Sequence, residues 1–149
     1  MARPIALAAD HGGINYKDRI AAMLRASNLD VVDYGTYSSD STDYPDHARA
    51  AAEAVARGES DVAIIVCGSG IGVSIVANKS KGVRAANCLT PEMARLAREH
   101  NNANVLTLGE RLVDWESARQ IVTAFLDTPA STDPRHARRV EKIHALTDL

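Results

Sequence analysis

A cysteine stands between an apolar run and a glycine-rich turn in the stretch VAIIVCGSGIGVSIVANK, residues 62–79. Three glycines alternate after Cys67: Gly68, Gly70 and Gly72. Glycines let backbone N–H groups approach a ligand closely, and a following helix adds partial positive charge at its N-terminus. A thiol beside such a turn can ionise and act as a base or a nucleophile. The pattern favours a site for an anion, with the Ser69 hydroxyl as a further donor. A packing cysteine followed by a tight turn is the alternative.

Two histidines stand where predicted elements end. Asp10 and His11 follow the first apolar run and precede two glycines, whereas His100 and Asn101 close a predicted helix. Imidazole titrates near neutral pH, so both histidines are candidates for proton transfer or ligand binding. A histidine at the end of a helix can also serve only as a favourable cap.

The remaining thiol and two other imidazoles have simpler interpretations. Cys88 also ends a predicted strand, but no glycine turn follows it, so we expect a packing residue. His47 and His144 are expected at the surface or in packing. The chain has no H-x-x-x-H or C-x-x-C spacing, so we expect no metal site.

Basic side chains crowd the last predicted helix. Arg135 and Arg139 are four residues apart and therefore share one face of it. Two guanidinium groups on one face suit a phosphate, because each can donate two hydrogen bonds at once. A solvated basic face is an equally good interpretation of this helix by itself.

A dinucleotide site is the main rival to a small-anion site at the glycines. The spacing G-x-G-x-G is one residue shorter than the dinucleotide fingerprint, and the next strand ends RAANC without the required acidic residue. No lysine directly follows the last glycine, as a P-loop would require. Nucleotide binding is therefore disfavoured.

The composition narrows the class of protein. The chain has 149 residues, of which 46% are hydrophobic and 24% charged, and its formal net charge is -2. We expect one soluble domain over residues 1–149. The charge argues against nucleic acid as a partner, because phosphate backbones require a basic face. Two cysteines cannot form a disulfide framework, which favours the cytoplasm, and no apolar run is long enough for a membrane span.

Apolar runs and helical periodicities alternate along the chain. The stretches that predict strands are PIALAA, DVVDYG, DVAIIVC, VRAANCL and ANVLTLG. Helices are predicted between and after them, with Thr90, Asp114 and Asp133 as N-caps of the last three. Alternation of this kind predicts an α/β fold: a Rossmann-like three-layer sandwich, with a five-stranded parallel sheet, helices on both faces and a C-terminal helix. Ligands in such folds bind beyond the carboxyl ends of the strands.

The loops at those strand ends closely resemble the type B ribose-5-phosphate isomerases. The matching stretches are AADHGG, DYGTYSSDSTDYPDHA, VCGSGIGVSIVANK, GVRAA, REHNNANVLTLGERLV and DPRHARRV, and together they span nearly the whole chain. The family also contains galactose-6-phosphate and allose-6-phosphate isomerases. The resemblance implies aldose–ketose isomerisation of a sugar phosphate through an enediolate, without a metal or an organic cofactor.

The resemblance also implies roles for individual residues. The family's base falls on Cys67, and its ring-opening histidine falls on His100. The positions that contact the substrate fall on Asp10, His11, Tyr44, Gly68, Ser69, Gly70, Ile71, Gly72, Asn101, Arg111, Arg135 and Arg139. Ser69 replaces a threonine common in the family and keeps the hydroxyl.

Family members are dimers or dimers of dimers whose active sites are shared between subunits. We therefore expect a homodimer or larger assembly, with His100, Asn101 and Arg111 supplied by the neighbouring chain. The substrate could instead be allose 6-phosphate, galactose 6-phosphate or a tetrose phosphate. Two other classes remain: a sugar-phosphate sensor without catalysis, and a Cys-His-Asn hydrolase built from Cys67, His100 and Asn101.

Overall fold

The computed structural model describes residues 2–149 and contains alternating strands and helices. The strands are Ile5–Ala9 (β1), Val31–Asp33 (β2), Ala63–Cys67 (β3), Ala85–Asn87 (β4) and Val105–Gly109 (β5). The helices are Ile14–Ala26 (α1), Tyr44–Ala56 (α2), Ile71–Ala77 (α3), Pro91–Asn101 (α4), Trp115–Asp127 (α5) and Pro134–Thr147 (α6). Every strand predicted from the sequence is present.

The strands form one parallel sheet in the order β2-β1-β3-β5-β4. The chain moves outward from β1 to β2 and then returns to the other side of β1 for β3. Ligands in open parallel sheets bind where the strand order reverses in this way. The crevice between the carboxyl ends of β1 and β3 is therefore flanked by Asp10 on one side and Cys67 on the other. This confirms the predicted five-stranded parallel α/β fold.

Two apolar layers bury the sheet. One cluster joins Leu7, Ile64 and Leu106 to α1, α4 and α5. The other joins alternate strand residues to α2 and α3, and Cys67 belongs to it. Side chains of successive strand residues point to opposite faces, so strands covered on both faces are apolar throughout. This explains the continuous apolar run that precedes the glycines.

Helix starts follow the predicted caps. The side chains of Thr90, Asp114 and Asp133 accept backbone N–H groups from the first turns of α4, α5 and α6. Pro91 and Pro134 occupy the first helical positions, where a missing N–H costs nothing. Within residues 2–149, none of the helices combines the length and apolarity needed to cross a membrane.

The edge strand β4 is shorter than the apolar stretch VRAANCL suggests, and side-chain amides pair with the backbone at its start. Asn104 Oδ1 accepts the Arg84 N–H at 2.7 Å. Asn78 pairs with Ala85 like a strand neighbour: its Oδ1 accepts the Ala85 N–H at 2.8 Å, and its Nδ2 donates to the Ala85 carbonyl at 3.0 Å. The sheet therefore ends at β4 with part of its outer edge already paired.

Candidate active site

The loop after β1 folds tightly against the loop after β3. Asp10 is buried, and its Oδ1 accepts the Gly12 N–H at 2.9 Å. A Cβ at Gly13 would lie 2.4 Å from the Val66 carbonyl oxygen, so only glycine allows this approach. A Cβ at Gly12 would lie 3.2 Å from the backbone nitrogen of Gly68. The Asp10 carboxylate thus lies at the rim of the glycine loop.

His11 is fixed in one tautomer by the loop that precedes α2. Its Nδ1 accepts the Thr42 N–H at 3.2 Å, so the neutral imidazole carries its proton on Nε2. The Thr42 hydroxyl in turn lies 3.1 Å from Nε2 of His47. His11 can therefore donate a hydrogen bond to a ligand oxygen. His47, expected at the surface or in packing, is half-buried and supports the loop that holds His11.

The glycine loop surrounds the thiol of Cys67 as the sequence predicts. The Gly70 N–H donates to Cys67 Sγ at 3.1 Å, and the side chain of Cys67 is only 5% exposed. Gly70 has φ +78°, a left-handed conformation that favours glycine. Ser69 Oγ accepts the Ile71 N–H at 3.2 Å, which leaves its own proton free for another acceptor. A thiolate formed here would be stabilised by a backbone donor already in place.

Arg111 lies in this same half of the site, in contrast to the expectation that a neighbouring chain supplies it. A Cβ at Gly68 would lie 3.1 Å from Nη1 of Arg111 and 3.3 Å from its Cζ. The Arg111 N–H donates to the Gly68 carbonyl at 3.0 Å. The reason is the strand register: Cys67 pairs with Gly109, so the loop after β5 runs directly beside the glycine loop.

Tyr44 closes one side of the glycine loop. A Cβ at Gly72 would lie 2.6 Å from the Tyr44 ring, so glycine is required for the first turn of α3 to pass the aromatic ring. The ring remains exposed along its other side. Tyr44 therefore lies against the first turn of α3, beside the glycine loop.

His100 and Asn101, the predicted site residues at the end of α4, lie at the opposite edge of the sheet. α4 leaves the carboxyl end of β4 at Pro91 and ends at Asn101, just before the amino end of β5. Its 11 residues span about 16 Å at a rise of about 1.5 Å each. His100 and Asn101 are thus separated from Cys67 by roughly the length of the sheet. Within one chain they cannot act on the same small ligand as Cys67.

His100 belongs to a second group of side chains formed with α6. Its ring stacks on that of His136, with centroids 4.4 Å apart and planes 12° from parallel. Arg135 and Arg139 lie on the same helix as His136, exposed to solvent. The chain therefore divides the predicted site residues into two half-sites. The carboxyl-edge half-site contains Asp10, His11, Tyr44, Gly68, Ser69, Gly70, Ile71, Gly72, Cys67 and Arg111; the amino-edge half-site contains His100, Asn101, Arg135 and Arg139.

Cys88 differs from Cys67 as the sequence predicts. It is buried in the apolar cluster shared with α4 and α5. Burial without a compensating donor raises the pKa of the Cys88 thiol to about 11. Cys88 therefore stays protonated at neutral pH and cannot act as a base there.

Two residues near the half-sites, His136 and Asn87, were not assigned a role from the sequence. His136 stacks on His100, and Asn87 contacts the glycine loop from the end of β4. The position of Asn87 at a strand end was a usable signal, because side chains at that edge face the ligand crevice. No local pattern pairs His136 with His100, since the contact joins two helices that are distant in sequence. Across residues 2–149, no three His, Cys, Asp or Glu side chains form a group that could hold a metal ion.

Comparison with known proteins identifies the family to which this chain is similar. A family model described as ribose/galactose isomerase matches residues 5–143. The chain is 46% identical over 144 residues to ribose-5-phosphate isomerase B of Escherichia coli, covering 97% of this chain and 96% of that one. It is 40% identical over 148 residues to D-erythrulose-4-phosphate isomerase 2 of Mycolicibacterium smegmatis, covering 97% of each. The solved structure of Clostridium thermocellum ribose-5-phosphate isomerase B superposes with a TM-score of 0.95 at 46% identity, covering 97% of both chains.

Proposed function

The chain belongs to the ribose/galactose isomerase family, and from this membership we propose that it interconverts ribose 5-phosphate and ribulose 5-phosphate through an enediolate. As a member of that family it is an aldose–ketose isomerase. The observation that carries the proposal is the hydrogen bond from the Gly70 N–H to Cys67 Sγ. It sets an ionisable thiol beside a fixed backbone donor, and proton abstraction beside a carbonyl requires a base held in this way.

Cys67 is the proposed base. Its thiolate takes the proton from C2 of the open-chain aldose, and the electron pair of that C–H bond forms the C1–C2 double bond of the enediolate. The same proton returns to C1, while the proton on O2 moves to O1 and leaves a ketone at C2. Negative charge develops on O1 in between. The Ser69 hydroxyl is a donor available to that oxygen, together with those N–H groups of the glycine loop that do not already donate to Cys67 Sγ or Ser69 Oγ.

His100 is the proposed ring-opening group. Ribose 5-phosphate closes into a furanose, so a proton must leave the anomeric hydroxyl and another must reach the ring oxygen. A group that transfers protons must come within about 3 Å of its target atom. Because His100 lies about 16 Å along the sheet from the edge that holds Cys67, the His100 that serves one Cys67 must come from a second copy of the chain.

A homodimer, or a dimer of dimers, is accordingly part of the proposal. In a two-fold dimer each chain can supply the carboxyl-edge half-site to one active site and the amino-edge half-site to the other. Exposed apolar side chains surround the carboxyl edge: Ile71, Ile75, Leu89, Met93 and Leu112. No residue of α6 is buried within the chain. Both surfaces have the character of an interface that a second copy would cover.

The phosphate is assigned to Arg135 and Arg139 of the second copy. Both guanidinium groups are exposed on α6, one helical turn apart. His11, with its Nε2 proton turned away from the Thr42 contact, is a further donor from the first chain. Binding a phosphate remote from the reacting carbons supplies energy that the enzyme can use to hold C1 and C2 in place.

The substrate is tested by a panel of pentose, hexose and tetrose phosphates with initial rates in both directions. We expect the highest kcat/KM for ribose 5-phosphate. The resemblance to an isomerase of D-erythrulose 4-phosphate makes tetrose phosphate the second candidate. A panel in which a tetrose or hexose phosphate exceeds the pentose phosphate would reassign the substrate, and binding without turnover of any member would indicate a sensor.

The proposal also covers the domain organisation and the cellular location of the chain. We assign residues 1–149 to one sugar-phosphate isomerase domain that acts in the cytoplasm. Support for the location comes from two unpaired thiols, Cys67 and Cys88. A base that must exist as a free thiolate suits a reducing compartment.

A further inference from the structure

A chain of polar contacts crosses three neighbouring strands and ends at the thiol of Cys67. It begins at Thr107 of β5, which is fully buried. Thr107 pairs with Asn87 of β4 in the sheet register, and its hydroxyl lies 3.2 Å from Asn87 Oδ1. Asn87 Nδ2 then faces the carbonyl oxygen of Ser69 at 3.5 Å, the outer limit of a hydrogen bond.

The orientation of the Asn87 amide follows from its two neighbours. The Ser69 carbonyl can only accept, so the amide must present its NH₂ group to it. The amide oxygen then faces Thr107, whose hydroxyl can donate. The reversed amide would place two acceptor oxygens against each other. The Ser69 carbonyl therefore selects this orientation of the amide, and the hydrogen bond from the Thr107 hydroxyl to Asn87 Oδ1 supports it.

The peptide group contacted by Asn87 is the one that contacts Cys67. The carbonyl of Ser69 and the N–H of Gly70 belong to one planar trans peptide, so they point in opposite directions. The Gly70 N–H donates to Cys67 Sγ at 3.1 Å. Fixing the carbonyl on one side of this peptide therefore fixes the donor to the thiol on the other side.

Steric contacts confine the same peptide group. A Cβ at Gly109 would lie 2.6 Å from both the carbonyl carbon and the carbonyl oxygen of Ser69. A Cβ at Gly70 would lie 2.2 Å from Asn87 Oδ1. The Ser69–Gly70 peptide thus lies between the bare Cα of Gly109 and the Asn87 amide. A different side chain at position 87 would change the space available to the Ser69–Gly70 peptide and therefore its possible orientations.

We propose that Asn87, held by Thr107, is a positioning residue that aligns the Ser69–Gly70 peptide so that its N–H stabilises the thiolate of Cys67. Asn87 does not touch the substrate; it acts through the backbone of the glycine loop. The effect on turnover rests on the proposed function of Cys67 as base. The effect on thiolate formation does not, so the two can fail separately.

The first test replaces Asn87 by Leu, which has a similar shape but no hydrogen-bonding groups, and by Ala, which cannot collide with Gly70. Loss of alignment of one donor to a charged group is expected to lower kcat about tenfold with KM nearly unchanged. The pH profile of iodoacetamide alkylation at Cys67 should move to higher pH. Tryptic peptides separate Cys67, in residues 58–79, from Cys88, in residues 85–95, so mass spectrometry measures each thiol alone.

The second test uses Thr107 as the matched control. Thr107→Val removes the hydroxyl without changing the shape of the side chain. It should move the alkylation profile of Cys67 to higher pH, by less than the Asn87 variants do. Thr107→Ser keeps the hydroxyl and should leave the profile unchanged. In the Asn87→Leu background, Thr107→Val should add no further shift, because Thr107 acts only through Asn87.

Three outcomes distinguish the proposal from its alternatives. An alkylation profile unmoved in both Asn87 variants, with only a lower melting temperature, would make Asn87 a structural residue of the sheet edge and overturn the proposal. Additive shifts from Thr107 and Asn87 would overturn the relay between them. A shifted profile with unchanged kcat would support the alignment of the thiolate and overturn instead the assignment of Cys67 as base.

Discussion

Cys67 and His100 lie at opposite edges of one sheet, although both are assigned to one reaction. Cys67 ends β3 at the carboxyl edge, and His100 lies in the last turn of α4 at the amino edge. Either they serve different functions or they meet across two copies of the chain. Pairing variants of the two half-sites separates these alternatives.

Two variants that are each impaired with ribose 5-phosphate as substrate should restore activity to each other. Cys67→Ala and His100→Asn damage different half-sites, so a mixed dimer carries one site with both residues intact. After co-expression at equal levels, random pairing gives about half mixed dimers with one intact site of two, hence about a quarter of wild-type activity. The measurement is the specific activity of the purified mixture with ribose 5-phosphate, the direction in which both single variants are impaired.

The matched control pairs Cys67→Ala with Arg111→Ala. Arg111 lies against Gly68 of its own chain, in the same half-site as Cys67. Mixed dimers of these two variants contain no intact site, so activity should stay low. Recovery in this control as well would place Arg111 in the neighbouring chain's site, and absence of recovery in both mixtures would refute the shared site.

The two cysteines should respond differently to replacement. Cys67→Ala is expected to lower kcat by orders of magnitude while substrate still binds, because a base acts mainly in the transition state. Cys67→Ser should also be poor, since an alkoxide forms far less readily than a thiolate. Cys88→Ala should retain turnover, because the thiol with a pKa of about 11 takes no part. Near-normal turnover in Cys67→Ala, measured by initial rates, would exclude the thiol as base.

His100→Asn should impair one direction of the reaction more than the other. The aldose is mainly a closed furanose, whereas ribulose 5-phosphate cannot close because its C5 oxygen carries the phosphate. We therefore expect a large loss with the aldose and a small loss with the open ketose, measured as initial rates. Because the equilibrium constant is fixed, part of the asymmetry should appear in KM. Full rates in both directions with a lower melting temperature would leave His100 as a helix cap.

Replacing Arg135 or Arg139 by Ala should raise KM strongly, since each removes a phosphate donor. A suitable control is Arg49→Ala on α2, where the guanidinium is exposed and pairs with Glu53 of the same helix. That variant should keep a wild-type KM. The KM penalty should shrink for a sugar that lacks the phosphate, where turnover of one is measurable. An equal penalty for both sugars would indicate that the arginines hold the dimer rather than the substrate.

The ion pair of Lys17 should stabilise the loop that holds His11. Lys17 is 1% exposed, and its Nζ lies 2.7 Å from Asp33 and 2.7 Å from the Thr36 carbonyl. Lys17→Met leaves Asp33 without its buried partner and should cost about 3 kcal/mol of unfolding free energy, measured in urea. Lys81→Met, at an exposed position, should change it by less than about 0.5 kcal/mol. A loss as small as that of Lys81→Met would show that the pair contributes no net stability.

The sequence predicts local features of this chain well. Thr90, Asp114 and Asp133 cap their helices because a cap depends on residues two or three positions away. The glycine loop and the thiol could be predicted for the same reason, since Cys67 and Gly70 are three residues apart.

Relations between distant segments were harder to predict. Strand register decides that Arg111 lies against Gly68, and no local pattern specifies register in a sheet buried on both faces. The same limit applies to Asn87 and Thr107, which meet only because β4 and β5 are neighbours. The distance between His100 and Cys67, in contrast, could have been predicted from the sequence. In an alternating α/β fold, a helix of the length of α4 carries its last residues to the opposite edge of the sheet.

The amide of Asn78 has a consequence for how the molecule behaves at high concentration. An unprotected edge strand is a template on which another chain can add its own strand without limit. Here the backbone of Ala85, which faces away from β5, is already saturated from within the molecule. A continuous ladder through β4 would first have to displace that side chain. Growth of the sheet from molecule to molecule through Ala85 is therefore hindered at this edge by a side chain of the same molecule.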